Sequence, residues 1–305
     1  MKRIALYLPL LLIFYGTVGL AQQAPAPDLE VIDFSARQLS LMEAWKDRPG
    51  ADRDVVMLDS LYRPYERLWS GYLGGPDDFL EWLNGAGFGQ LAEYRSRARA
   101  LDLDKLGAYF RETVGAMTEF TGHAPQGSWY VFFGPQWTNL GGFGDGTMLI
   151  DLAHPDNENT AAISQYFPHE LNHQIYAATQ PGGKAVLRRI LDEGFACYVS
   201  YRFHKGAISK AEALGYTDEA FEYCRVKEPS LLGLLQQFVS SDDPEVSNGF
   251  ADRGVHISEG YPGAIGYYIG FRIVEEYVAR HGAGAWKDLY VLTPETALER
   301  SGILE

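Results

Sequence analysis

The chain has 305 residues, of which 46% are hydrophobic and 22% are charged, a balance that is typical of folded proteins rather than of disordered ones. Its 40 acidic residues outnumber its 26 basic ones and give a formal net charge of -14. Such a surface repels nucleic-acid phosphates and anionic lipids, so the composition disfavours a nucleic-acid partner. It predicts an enzyme-sized globular protein.

The first 21 residues are typical of a cleavable signal peptide. A basic start is followed by an apolar run over residues 4–20, at the short end for a membrane span, and then by the small residue Ala21. No cysteine stands at this cleavage site to carry a lipid, and residues 22–27 form a short flexible leader. We expect a periplasmic or secreted protein without stable membrane insertion after signal cleavage; the alternative is an uncleaved anchor.

Residues 28–122 are predicted to form a helical N-terminal region. Apolar residues recur every three and four positions over 54–70, 77–83 and 103–120. Glycine and proline interrupt this periodicity between the segments, so separate helices are expected. Residues 123–305 are assigned to a second region, which carries the chemistry.

The second region begins with β-branched and aromatic runs of strand length. The segments 128–133 and 147–152 are predicted to be strands, and the glycine-rich connection 141–146 is predicted to be a hairpin loop. Helical periodicity returns after them. The expected fold class is therefore α+β, predominantly helical, with a small β-sheet. The later helices are predicted over 159–203, 207–226, 228–240 and 263–281.

An HExxH motif, HELNH, begins at His169. His169 and His173 are four residues apart, so on a helix both imidazoles project from one face and can reach one metal ion. Glu170 lies about 100° around that helix, beside the ion rather than on it. Pro168 removes a backbone donor, so this helix must begin near Phe167 or be kinked there. The alternative is a surface helix with two solvated histidines.

The helix predicted next, residues 184–203, carries one carboxylate on its apolar face. Helical spacing places five residues on that face: Val186, Ile190, Glu193, Cys197 and Tyr201. An unpaired carboxylate there would cost several kcal/mol, so Glu193 needs a cation. Asp192 instead falls with Arg188 and Arg189 on the polar side, where a solvated pair is expected. Two histidines and one glutamate form the ligand set of catalytic zinc.

In these motifs the sequence resembles the gluzincin metallopeptidases, in which a ligand glutamate follows HExxH on the next helix. Here HELNH is followed by DEGFACY at 192–198, with Glu193 twenty positions after His173 as in the thermolysin type. The sequence is most similar to a bacterial family of predicted zinc-dependent proteases related to gliding-motility lipoproteins, in which a C-terminal GYxIG helix is also found, like Gly266–Gly270 here. The resemblance implies a zincin-like fold, bound Zn²⁺ and a peptide or protein substrate.

The predicted activity is peptide-bond hydrolysis by metal-activated water, with Glu170 as general base. A tetrahedral oxyanion also needs a hydrogen-bond donor. In gluzincins a His or Tyr downstream of the ligand Glu supplies it, and the candidates are His256, Tyr261 and Tyr267. Tyr267 is favoured because it lies in the GYxIG context. Each of the three has packing or a solvated loop position as its alternative role.

The resemblance also implies that an edge strand above the metal helix binds an extended peptide by backbone pairing. The segment 146–152 is assigned to that strand. Trp137, Phe143 and Tyr130 are candidates for the walls of an apolar side-chain pocket, although aromatic residues near strands also form the core.

Two other functions are compatible with the same motifs. One is a zinc-stabilised, non-catalytic binding or assembly protein of the cell envelope, and the other is a zinc amidase or esterase. The sequence leaves the oligomeric state open. It also leaves open whether Cys197 and Cys224 form a disulfide or remain two buried thiols.

Overall fold

The computed structural model of the chain describes residues 29–179, 182–257 and 260–305. The predicted signal peptide and leader lie outside these residues. Within them the protein is predominantly helical with one small mixed sheet, so the predicted α+β class is confirmed. None of the helices described is long and apolar enough to cross a lipid bilayer. The strands are β1 (Leu29–Asp33), β2 (Gly127–Phe132), β3 (Leu140–Gly142) and β4 (Thr147–Asp151).

The sheet has the strand order β1-β2-β4-β3, in which β1, β2 and β4 are parallel and β3 is antiparallel to β4. Both strands predicted from the sequence are present. The glycine-rich connection is a hairpin loop, as predicted, but it joins β4 to the short strand β3 rather than to β2. The prediction that 146–152 is an edge strand is wrong, because β4 is paired on both sides. On this side of the sheet, β3 is the edge.

The N-terminal region contributes a strand as well as helices. β1, in a segment predicted to be helical, pairs in parallel with β2 along its whole length. The predicted helical segment 54–70 is divided by a π-helical stretch, Leu58–Tyr62, and a 3₁₀ turn, Arg63–Tyr65; a second π-helical stretch spans Leu83–Gly87. The α-helices of this region are α1 (Ser35–Trp45), α2 (Ala51–Met57), α3 (Glu66–Tyr72), α4 (Pro76–Trp82), α5 (Leu91–Ala100) and α6 (Leu103–Thr121).

The rest of the chain is helical after β4. Helix α8, which carries the HExxH motif, begins at Phe167 and has Pro168 in its first turn, where the missing backbone donor has no helical acceptor to lose. Helix α13 was not predicted from the sequence. A 3₁₀ helix spans Ala285–Tyr290. The α-helices are α7 (Thr160–Ser164), α8 (Phe167–Thr179), α9 (Ala185–Phe203), α10 (Lys210–Ala213), α11 (Asp218–Val226), α12 (Glu228–Phe238), α13 (Pro244–Ala251), α14 (Ile265–His281) and α15 (Pro294–Ser301).

Helix α8 is fixed to the sheet by one buried amide side chain. Gln174 accepts a hydrogen bond from the indole N–H of Trp129 on β2 at 2.7 Å, and it donates one to the carbonyl of Gly146 at 3.1 Å. On the other side of the helix, the buried Asn172 accepts a hydrogen bond from the hydroxyl of Tyr290. These contacts set the rotation of α8 about its axis, which decides where its histidines point.

Helices α9 and α14 are in backbone contact. A Cβ atom added at Gly194 would lie 2.2 Å from the carbonyl carbon of Gly270, and one added at Gly270 would lie 2.0 Å from the carbonyl oxygen of Ile190. Real Cβ atoms do not approach so closely, so only glycine fits at either position. This crossing lies directly beside Glu193, the residue before Gly194.

Candidate metal centre

Helices α8 and α9 bring the three predicted ligands together. The Nε2 atoms of His169 and His173 are 3.0 Å apart. The Oε2 atom of Glu193 lies 3.3 Å from Nε2 of His173 and 3.6 Å from Nε2 of His169. One ligand atom from each residue therefore faces a common point, with all three within 4.8 Å of one another.

The carboxylate of Glu193 supports a cation at that point. Glu193 is 3% exposed, and its Oε2 atom is buried and has no hydrogen-bond partner in the described part of the chain. An ionised oxygen without a partner is costly in a protein interior. Two imidazole nitrogens and one carboxylate oxygen are donors that Zn²⁺ accepts, with room left for a fourth ligand. The residues present thus fit the predicted zinc ion.

The second oxygen of Glu193 corrects one expectation from the sequence. Arg189, predicted to form a solvated pair with Asp192, instead reaches forward one helical turn, where its guanidinium lies 2.9 Å from Oε1 of Glu193. Burial raises the pKa of Glu193, but the charges of His173 and Arg189 lower it, and the net pKa is well below the usual value. Glu193 is therefore a carboxylate at neutral pH.

Asp192 has a role that the sequence analysis missed. Its Oδ1 atom lies 2.7 Å from Nδ1 of His173, the ring nitrogen that faces away from the cluster. A carboxylate in this position fixes the tautomer and the ring orientation of a metal-binding histidine. The sequence contained one signal for this role, because Asp192 directly precedes Glu193 on α9. Two adjacent helical residues can contact the two ring nitrogens of one histidine, here His173. The corresponding neighbour of His169 is the Cys197 sulfur, 3.7 Å from Nδ1.

Glu170 lies beside the three converging residues. It is partly exposed and lines the same cleft as His169, His173 and Glu193, yet it is not one of the three residues that converge on the common point. The cleft has a volume of about 340 Å³ and is open to solvent on one side. A general base needs this arrangement, beside the ion and in reach of water.

Of the three candidate oxyanion donors, the structure brings Tyr267 to the site. Its ring is parallel to that of His169, with an interplanar angle of 8° and a centroid separation of 6.2 Å. Burial, together with the charge of Glu193, raises the pKa of Tyr267 well above its usual value, so the hydroxyl keeps its proton. The guanidinium of Arg253 lies 4.8 Å from the ring centroid.

His256 and Tyr261 do not lie at the site, and their assignment as oxyanion donors is corrected here. Both line a separate depression together with Tyr223, and neither lines the metal cleft. The ring Nδ1 of His256 lies 2.6 Å from the carbonyl oxygen of Tyr261. The imidazole of His256 is therefore engaged in a contact within its own loop, which joins helices α13 and α14.

The predicted pocket aromatics have different positions. Phe143 lines the metal cleft, whereas Trp137 lines a larger neighbouring cavity and is 65% exposed. Tyr130 is buried in the core and lines neither cavity. Cys197 and Cys224 are both buried free thiols.

Residues 159–302 match the family described as Gliding motility protein GldB. This span begins just before α7 and ends just after α15, so it contains the three candidate ligands, Glu170 and Tyr267 but none of the sheet. No curated protein and no solved structure matches the chain. Over this span, just under half of the chain, the sequence is similar to the gliding-motility family, which supports the expected relation to gliding-motility lipoproteins but says nothing of a zinc protease.

Proposed function

We propose that the protein is an exported zinc-dependent hydrolase of the cell envelope that cleaves peptide bonds. The observation that supports it best is the convergence of the buried Oε2 atom of Glu193 with two imidazole nitrogens, 3.3 and 3.6 Å away, in a cleft that Glu170 also lines. A merely structural metal site has four protein ligands and is closed. This one has three, and it opens on solvent.

Zn²⁺ bound by His169, His173 and Glu193 would lower the pKa of a water molecule to about 7. Glu170 would accept a proton from a water molecule in the cleft and would later deliver it to the leaving amine. The hydroxyl of Tyr267 donates a hydrogen bond to the oxyanion that develops on the carbonyl. Asp192 contributes indirectly, because it holds His173 in orientation.

The edge strand β3 provides a binding mode for a peptide. Residues Leu140–Gly142 line the metal cleft, and their other edge is already paired with β4. The opposite side of β3 pairs with no strand of the described residues. The carbonyl of Leu140 accepts a hydrogen bond from the hydroxyl of Thr138, but the remaining backbone groups on this side can pair with an extended chain, which is the β-augmentation mode of peptide recognition. The predicted mode is thus kept, with β3 in place of 146–152.

The second candidate function is a metal-stabilised binding or assembly protein of the cell envelope without catalysis. The family match supports this candidate better than it supports a peptidase, since the family is described by gliding motility and not by an enzymatic activity. The hydrolase is supported instead by the geometry of the site, in which three candidate ligands converge beside Glu170. A third candidate, a zinc amidase or esterase, uses the same residues on a non-peptide substrate.

Two variants separate these functions. We expect the zinc-loaded wild type to hydrolyse members of a mixed peptide library and Glu170→Gln to lose about 10²- to 10⁴-fold in rate with its zinc content and fold unchanged. Glu219→Gln, an exposed glutamate of α11, is the matched control. Equal rates in Glu170→Gln would contradict the hydrolase, and full biological function of this variant in cells would favour the assembly protein.

Metal analysis tests the third ligand. We expect the wild type to bind one zinc ion per chain and Glu193→Ala to lose it, because a carboxylate oxygen would be missing from the ligand set. Unchanged zinc content in Glu193→Ala would remove Glu193 from the site. Parallel screens against ester and peptidoglycan libraries distinguish the amidase or esterase from the peptidase.

A further inference from the structure

Two cavities meet at the candidate metal centre. The metal cleft, of about 340 Å³, extends along β3 and past Phe143 and Met148. A larger cavity, of about 830 Å³, extends in another direction past Trp137, Tyr166 and His204. Both are lined by the same five residues: Thr138, Leu140, His169, Glu170 and Tyr267. Together they form a groove that continues away from the centre on two sides.

The charged side chains of the metal cleft already have partners. Arg189 is paired with Glu193, and Asp192 is paired with His173. An enzyme that recognises a chain terminus needs an uncommitted opposite charge to hold the terminal amine or carboxylate. Apart from Glu170, the described residues on this side offer none.

Most charged side chains of the larger cavity form hydrogen bonds with backbone groups. Arg253 donates hydrogen bonds to the carbonyls of Leu214 and Gly215, and Asp252 accepts one from the backbone of Gly254. The remaining pairs are local: Glu212 with the backbone of Ser209, His204 with the carbonyl of Ser200, and His154 with Asp156. None of these contacts neutralises Arg253, Asp252 or Glu212, so an internal segment is favoured by the two-sided shape of the groove rather than by its charges.

Trp137 presents an apolar surface at the larger cavity. It is 65% exposed, although the loop that carries it is held firmly. Its backbone N–H donates to the hydroxyl of Tyr72 at 3.0 Å, and that of Gln136, which has a φ of 67°, donates to the buried carboxylate of Asp151 at 2.7 Å. A large side chain fixed in solvent offers contact area at little cost in conformational entropy.

We propose that this groove binds an internal segment of an extended polypeptide, with the chain continuing on both sides of the metal centre and an apolar side chain packed on Trp137. The free edge of β3 selects a peptide rather than a glycan, because it offers backbone donors and acceptors at strand spacing. The inference relies on the proposed metal centre to position the peptide bond but not on its cleavage. Any cleavage at the metal centre would then occur within the bound polypeptide and not at one of its ends.

Peptide binding to the zinc-loaded full chain carrying Glu170→Gln tests the inference without turnover. The probes are N-acetylated, C-amidated peptides of about ten residues, which extend over roughly 33 Å. We expect capped peptides to bind, removal of either cap to change Kd by less than about threefold, and truncation on either side of the centre to weaken binding by about tenfold or more. Binding that requires a free terminus, or no binding at about 1 mM, would overturn the inference.

A second comparison tests the subsite. Trp137→Ala should weaken binding by about tenfold, and Trp137→Phe should restore most of it. Val291→Ala is the control, since Val291 is also 65% exposed and lines neither cavity. Equal affinity of Trp137→Ala and wild type would contradict the subsite. Peptides that bind but are never cleaved by the wild type would contradict the hydrolase and leave this inference standing.

Discussion

Gly194 of α9 and Gly270 of α14 pack backbone to backbone, with no side chain between them. Gly194 follows the candidate ligand Glu193, and Gly270 lies three residues after Tyr267, almost one helical turn. The separation of the two helices therefore determines how far the tyrosine hydroxyl stands from the ligand cluster. The same contact accounts for the glycine of the DEG segment and for the last glycine of the GYYIG segment, whereas the first, Gly266, packs against the backbone carbonyl of Phe250.

Gly194→Ala should destabilise the protein strongly. The added methyl group would lie 2.2 Å from the backbone of Gly270, so the helices must separate at a cost of about 1–3 kcal/mol or more. Urea unfolding measures this change in the free energy of unfolding. Gly115→Ala on α6, where the new methyl meets nothing within 4 Å, should instead be neutral or stabilising. Equal stability of the two variants would show that the crossing tolerates a side chain.

Asp192→Ala should weaken zinc binding without removing a ligand. The imidazole of His173 would lose the carboxylate that orients it, which lowers metal affinity by about 10- to 100-fold. Competition with a chromophoric chelator measures the affinity. Asp218→Ala, at an exposed position of α11, should leave it unchanged. If Asp192→Ala retains wild-type affinity, the contact of 2.7 Å does not contribute to the site.

Asp151→Ala should destabilise the loop that carries Trp137. The buried carboxylate accepts hydrogen bonds from the backbones of Gly134, Gln136 and Ala153. Its removal leaves three buried donors unpaired, and the expected loss is about 3–5 kcal/mol. Thermal unfolding measures the loss, and Asp145→Ala in the neighbouring exposed loop is the comparison. A decrease no larger than that of Asp145→Ala would contradict this role.

The two cysteines should react only after unfolding. Both are buried free thiols, and burial raises the pKa of Cys224 to about 11, so little thiolate is present at neutral pH. Titration with a thiol reagent should detect almost no reactive groups in the native protein and two in denaturant without reductant. Finding none in denaturant would mean that the cysteines are joined in a disulfide.

The helical part of the site could be predicted because α-helices have a fixed periodicity. The spacing of His169 and His173, and the apolar stripe that contains Glu193, need no information beyond 3.6 residues per turn. The same periodicity misplaced Arg189, since its long side chain crosses from the polar face to reach Glu193 one turn away. His256 and Tyr261 lie in a loop, and a loop has no fixed periodicity from which their distance to the ligand cluster could be predicted.

The sheet was predicted less completely. β4 and β2 have continuous buried apolar runs, which a sequence shows directly, but β3 has three residues, two of them glycine. Such a strand exists only because β4 offers it a partner, and pairing between strands does not appear in a local pattern. β1 was missed because five residues before a helical region carry too little periodicity, and their pairing partner lies about a hundred residues away.

The strand edge and the aromatic walls of the groove come from a different stretch of the chain than the candidate ligands. The three ligands lie on α8 and α9, inside the span shared with the gliding-motility family, whereas β3, Phe143 and Trp137 precede that span. Substitutions in the earlier stretch can alter the walls of the groove while helices α8 and α9, which carry the candidate ligands, stay intact. Under the proposed function, selectivity and chemistry could therefore diverge independently, and relatives with the same candidate ligands need not share a target.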